Sequence, residues 1–223
     1  MKRIPEEELM LDEEQARAYA EASFHIQHER FVKLFGERFQ GDLIGKYVLD
    51  LGCGPADITL RFARCYPRCY VHGVDGSKSM LKFGRQAVRR ERLEQYVVLI
   101  EGLLPTAKLP RDRYDVVISN SVLHHLQDPQ MFWSAVSGLA GSNSLVFVMD
   151  LLRPESRGQA SKLTELHVSE EPKILQRDFY NSLLAAYRTD EIEAQLERAG
   201  LGHFSLEVVS DYHLVVWGTM PLD

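Results

Sequence analysis

The chain has 223 residues, 45% of them hydrophobic and 26% charged, with a formal net charge of −6. That length suits one domain and that composition an ordinary soluble globule, and no apolar run approaches the roughly 20 residues of a membrane span. An acidic balance also argues against a nucleic-acid substrate, which usually meets a basic face. The two basic clusters, 61–68 and 78–92, fall on expected surface helices among acidic residues and read as solvated faces. Three cysteines (Cys53, Cys65 and Cys69) make no disulfide framework and no metal spacing. A reducing, cytoplasmic location is therefore expected, with no metal and with Cys65 and Cys69 as plain thiols.

In chain order, residues 1–11 read as an acidic arm without a signal-peptide core. Asp12 then reads as a helix N-cap, with Gln15 three residues on completing a capping box. Tyr19, Phe24, Phe31, Leu34, Phe35 and Phe39 are spaced for one broken or two short amphipathic helices. Gly41 and Gly45 close this segment, so residues 1–40 are expected as a helical arm or cap on a core domain at 41–223.

Lys46 to Leu60 reads K-Y-V-L-D-L-G-C-G-P-A-D-I-T-L. Tyr47 to Leu51 is apolar and β-prone, as in a strand buried on both faces. Gly52 and Gly54 follow at once, and Ile58, Phe62 and Cys65 have helical spacing. Strand, glycine turn and helix form the first half of a βαβ unit, with the helix N-terminus aimed into the crevice where open α/β sheets bind ligands. A dinucleotide fingerprint would need a third glycine where Asp57 stands, and no Gly-Lys-Ser/Thr closes a phosphate loop. Asp57 would repel a pyrophosphate at that helix end, and Asp50 adds a second negative charge. Two carboxylates around the turn suit a cationic ligand bearing an amino group, a description that S-adenosylmethionine fits.

Residues 69–75 form a second strand, ending in an acid about twenty positions beyond the glycine turn, where nucleoside-binding folds hold a ribose hydroxyl pair. Asp75 is that acid, followed by Gly76 and by Ser77, a helix cap. Residues 96–101 form a third strand leading into the Gly102–Leu104 loop, and 114–119 a fourth, ending at Ser119, Asn120 and Ser121. Asp128 and Pro129 start a helix that ends near 138–141, and 144–151 is a fifth strand. An irregular stretch is expected over 152–188, as a lid or as an ordinary helix pair packed on the core. A helix over 189–199 and strands near 206–209 and 213–217 close the chain.

Three stretches carry a family resemblance: V-L-D-L-G-C-G at 48–54, G-V-D-G-S-K-S-M-L at 73–81 and Y-D-V-V-I-S-N-S-V-L-H-H-L at 114–126. Together they resemble the motifs of class I (Rossmann-like) S-adenosylmethionine-dependent methyltransferases, of the type that acts on small molecules. The resemblance implies an α/β fold: a seven-stranded, mostly parallel sheet with an antiparallel last strand, helices on both faces and an N-terminal helical cap. It implies S-adenosyl-L-methionine as cofactor and S-adenosyl-L-homocysteine as product. The cofactor would be held by Asp50, Gly52, Cys53, Gly54, Asp75, Gly76, Ser77, Met80, Gly102, Leu103, Leu104, Asn120 and Ser121. Met80 would lie on the adenine. Leu103 and Leu104 stand where the family usually has an acid, leaving backbone groups there to contact the base.

The same resemblance places substrate contacts on the N-terminal helices and after the fifth strand. Candidates at the reacting centre are Tyr19, His25 and His125; candidates for the acceptor are Phe24, His28, Arg153, Tyr180 and Asn181. His125 reads either as a general base or as a packing histidine beneath the cofactor, while His124 is expected to face away. The expected reaction moves a methyl group to an O, N or S nucleophile of a small molecule. A non-methylating enzyme using the same cofactor and a non-catalytic binding subunit stay open beside it. No membrane partner is expected; oligomeric state is left open, a homodimer included.

Overall fold

The computed structural model describes residues 1–6, 13–22, 25–103 and 106–222, and of His25 the backbone alone. The expectations for Asp12, Phe24, Leu104 and the His25 side chain therefore fall outside what is described. Two helices, α1 (Glu13–Glu21) and α2 (His25–Arg38), lead into β1 (Tyr47–Leu51), α3 (Asp57–Cys65) and β2 (Tyr70–Asp75). Then come α4 (Lys78–Glu91), β3 (Val97–Glu101), β4 (Tyr114–Asn120), a 3-10 turn (Leu123–His125), α5 (Pro129–Leu139) and β5 (Ala140–Leu151). The chain closes with α6 (Arg157–Val168), α7 (Lys173–Ala185), α8 (Thr189–Arg198), β6 (Ser205–Val208) and β7 (His213–Thr219).

The strands form one seven-stranded sheet in the order β3-β2-β1-β4-β5-β7-β6. Neighbours from β3 to β5 run parallel, and β7 is antiparallel to both β5 and β6. The period-2 alternation of a strand sorts the core into two layers. Val48, Val116, Ile118, Phe147 and Met149 pack with Phe31 and Phe35 of α2 and Phe62 of α3. Their neighbours Leu49, Leu51, Val117, Val146 and Val148 face the other way, onto Phe132, Trp133 and Val136 of α5 and Ile192 and Leu196 of α8. Phe35 meets Phe62 and Phe147 edge-on at centroid distances of 4.9 and 5.8 Å, an arrangement aromatic quadrupoles favour. Helices therefore cover both faces, as expected.

The structure decides between the two readings of residues 152–188, shows how the arm is held and corrects the reading of Arg61. Residues 152–188 are not irregular: they fold as the helix pair α6–α7. Ser156 caps α6 by accepting from Gln159 N at 3.2 Å, and the pair buries Leu163, Leu183 and Leu184 in a third apolar cluster beside Leu151 and Tyr212. The described part of the acidic arm is docked. Arg3 donates to the carbonyls of Ala185, His124 and Leu126 and stacks on the Tyr187 ring, and Ile4 N donates to Leu184 O. Arg61 is buried rather than solvated, because Asp57 and Glu29 pair with it. No helix among the described residues is long and apolar enough to cross a membrane.

Candidate active site

The β1–α3 turn is built by backbone that most side chains would disfavour. Gly52 (φ 70), Gly54 (φ 51) and Ala56 (φ 68) all adopt left-handed conformations. Gly52 also has no room for more: a Cβ there would meet Val122 Cγ2 at 2.2 Å. Around Gly54, by contrast, nothing lies within 4 Å of a built Cβ, so this glycine leaves open space on the cavity side of the turn. Gly52 N and Cys53 N both donate to Val74 O, tying the turn to the end of β2.

Asp75 sits at that end, its two oxygens accepting from Gly54 N at 2.8 Å and Ser77 N at 2.7 Å. Burial raises its pKa, against the pull of those two amides. Asp50 is fully buried inside β1 and accepts from the Thr59 hydroxyl at 2.6 Å. Burial pushes it up to about 7, with the Asp75 charge adding to the rise. Asp57 goes the other way. Burial would raise it, but hydrogen bonds from His28 and Arg61 outweigh that and hold it at about 2.

Turn, acids and the ends of β2, β3 and β4 line one cavity of about 570 Å³, within the usual range for small-molecule sites. It continues past Asn120 and Ser121 (φ 57) to a second half walled by the 3-10 turn, by Leu175, Phe179 and Ser182 of α7, and by Tyr212. Here His124 is buried, its Nδ1 donating to Asp150 Oδ1 at 2.6 Å, and its ring lies against that of His125, centroids 4.2 Å apart. Burial would lower the His124 pKa, but the Asp150 carboxylate beside it raises it. Asp150 also accepts from the amides of Val122 and Leu123, and these contacts hold it below the usual range despite burial.

Every described residue assigned to the cofactor from sequence lines this cavity, as do Tyr19, His28 and His125. Tyr19 comes from α1; burial and the charges of Asp57 and Asp75 push its phenol to about 12. At neutral pH it is a hydroxyl donor and not a base. Arg153, Tyr180 and Asn181 do not line the cavity. Arg153 is buried in a pair with Glu191 at 2.7 Å and a bond to Ala186 O, and Tyr180 packs on the α6–α7 cluster. His124 does not face away, since its bond to Asp150 turns it into the cavity wall. Sequence reasoning missed Asp150, Glu6 and Tyr212. Only Asp150 had a readable signal, as a third acid at the carboxyl end of a core strand after Asp50 and Asp75.

A mostly parallel sheet with a glycine turn after β1, an acid at the tip of β2 and a cavity across the strand ends defines a Rossmann-like α/β fold. Comparison with known proteins makes this narrower. Residues 48–139 match the family model of the methyltransferase domain. An uncharacterized methyltransferase of Mycobacterium tuberculosis (strain ATCC 25618 / H37Rv) is 30% identical over 117 residues, 52% of this chain and 56% of that protein. (S)-tetrahydroprotoberberine N-methyltransferase of Eschscholzia californica is 29% identical over 105 residues, 47% of this chain and 29% of its own. The chain thus spans about half the length of the first of these relatives and less of the second. The crystal structure of a SAM-dependent methyltransferase from Aquifex aeolicus superposes with a TM-score of 0.68 at 18% identity, covering 95% of this chain and 100% of that one. Residues 48–139 thus match a methyltransferase domain, and the chain has the fold of the S-adenosylmethionine-dependent methyltransferase structure it superposes on.

Proposed function

We propose that the protein transfers a methyl group from S-adenosylmethionine to an O, N or S nucleophile of a small molecule by in-line displacement. The observation that carries this is the Asp75 carboxylate, fixed by the Gly54 and Ser77 amides in the lining of the cavity. Each oxygen of that carboxylate has a lone pair to spare after its amide bond, enough to accept from a vicinal diol. Open space at Gly54 and the buried Asp50 carboxyl fit the rest of a cationic nucleoside. Asp50, Gly52, Gly54, Asp75, Met80 and the Gly102–Leu103 backbone would hold the cofactor. When bound, it supplies a methyl group already activated by a sulfonium.

The chain's own share of the work is positioning and exclusion of water. Helix α1 is fastened over the cavity from two sides, by Lys82–Glu13 and by Gln15 Nε2 donating to Asp178 Oδ2, both at 2.6 Å. Tyr19 of that helix then stands over the acids of the turn. The acceptor would occupy the half lined by His125, Phe179 and Tyr212, where the histidine pair is placed to take up its proton. A walled acceptor half favours a small molecule over a polymer, and the Eschscholzia relative is named (S)-tetrahydroprotoberberine N-methyltransferase.

The test is calorimetric titration with S-adenosylhomocysteine. Wild type should bind near micromolar concentrations, and Asp75→Ala should weaken binding by about tenfold to a hundredfold, the worth of hydrogen bonds to a charged group. Asp75→Asn, which keeps an acceptor for one of the two amides, guards against a merely unfolded variant. Equal affinity in all three proteins would end the assignment.

A further inference from the structure

Apart from the turn that would hold the cofactor, two histidines of the cavity wall belong to a second constellation. Glu6, His124 and His125 place one ligand atom each within 4.8 Å of one another, the one such group among the described residues. We propose that these three residues form a binding site for a divalent d-block cation of the zinc type, facing the acceptor half of the cavity.

Glu6 Oε1 lies 3.5 Å from His124 Nε2 and 3.3 Å from His125 Nδ1. Ligand atoms of a tetrahedral site with bonds of about 2.0–2.1 Å stand roughly 3.3–3.4 Å apart, so these separations leave room for a cation at their centre. That Glu6 oxygen is buried and accepts no hydrogen bond from the described residues, and burial raises the carboxyl's pKa against the pull of the His124 imidazole and the Ser182 hydroxyl, a desolvation that a cation would offset.

The supports are those a metal site needs. Asp150 accepts from His124 Nδ1, which leaves Nε2 as the lone-pair nitrogen on the Glu6 side, the usual carboxylate–histidine arrangement behind a metal ligand. The arm that brings Glu6 is pinned to the same turn, because Arg3 donates to the carbonyls of His124 and Leu126. Two imidazoles and one carboxylate match zinc and its neighbours better than magnesium, which prefers oxygen alone. Both histidines line the cavity, so a coordination position is open to an incoming hydroxyl, thiol or amine. A cation there would lower the pKa of that group, so that its proton passes to solvent and not to the histidines, whose lone pairs the cation would occupy. The binding itself does not depend on the cofactor assignment.

Cobalt(II) is the probe. Full-length protein stripped with chelator should take up one equivalent, with visible ligand-field bands that zinc abolishes and magnesium does not. His124→Ala, His125→Ala and Glu6→Gln should each lose the bands, while Asp150→Asn should weaken uptake by about tenfold to a hundredfold. His167→Ala, a histidine outside the group, should bind as wild type. Circular dichroism and homocysteine-nucleoside titration of each variant separate loss of the cation from loss of fold or cofactor site. Absence of one-to-one uptake by wild type, or bands that persist in the folded ligand variants, would overturn the proposal and leave the three as an ion-pair network.

Discussion

Asp50 offers the sharpest test of how the turn handles charge. Its carboxyl is buried with the Thr59 hydroxyl as its side-chain donor, and burial lifts its pKa from 3.8 to about 7. Keeping it ionised there costs about 4 kcal/mol relative to water. A cationic ligand placed against it would return part of that cost, so binding should release a proton. The dissociation constant for S-adenosylhomocysteine, whose ammonium is charged, should fall about tenfold between pH 6 and pH 8, following ionisation of a group near 7. Titration at pH 7 in two buffers of different ionisation heat should report about half a proton released. In Asp50→Asn both the slope and the release should vanish. The ligand-free protein should behave in the matching way. A raised folded pKa gives stability that is full below 3.8 and is lost as pH climbs through about 7, so denaturation midpoints should drop over that range and flatten in Asp50→Asn. Asp57, held at about 2, has the opposite sign, losing its contribution only as pH falls from 3.8 through 2, outside this window. A flat affinity profile in wild type, or an undiminished slope in the variant, would refute the reasoning.

Gly52→Ala should cost about 2–4 kcal/mol by urea denaturation, combining left-handed backbone with a Cβ 2.2 Å from Val122 Cγ2. Adding Val122→Ala should recover the packing part and leave the backbone part. Glu191→Ala should strand the buried Arg153 guanidinium and cost about 3 kcal/mol, with no change in affinity for S-adenosylhomocysteine. A change in that affinity would return Arg153 to the binding site.

What could be read from the chain was whatever local spacing determines. The strands announced themselves as apolar runs because both sheet faces are covered, and Asp75 could be placed because its partners, Gly54 and Ser77, lie within one βα unit of it. The helix pair α6–α7 was legible only as one of two readings, because α6 buries only Ala160, Leu163 and Val168 and leaves Leu166 71% exposed, so no clean apolar stripe marks it. Arg153 drew attention as a cation in a segment thought to be a lid, but its partner Glu191 lies on a later helix that spacing cannot bring near. Glu6 was hidden for the same reason. Only the docking of the arm on α7 and the 3-10 turn carries it to the histidines.

The three strand-end aspartates show why position alone does not settle a carboxylate's role. Asp50 and Asp150 stand one residue before the ends of β1 and β5 and Asp75 at the end of β2, and all three are desolvated, yet their protonation differs. The difference follows the donors each meets. Asp50 accepts from one hydroxyl and rises to about 7; Asp75 rises by burial against the pull of two amides; Asp150 accepts from the amides of Val122 and Leu123 and from an imidazole, and falls. Hydrogen bonds to a charged acceptor offset desolvation one by one, until the charged form wins. A permanently charged Asp150 can fix the histidine turn whatever the cavity holds. Asp50, poised near neutrality with little to hold its charge, is the one whose state a positively charged ligand can change.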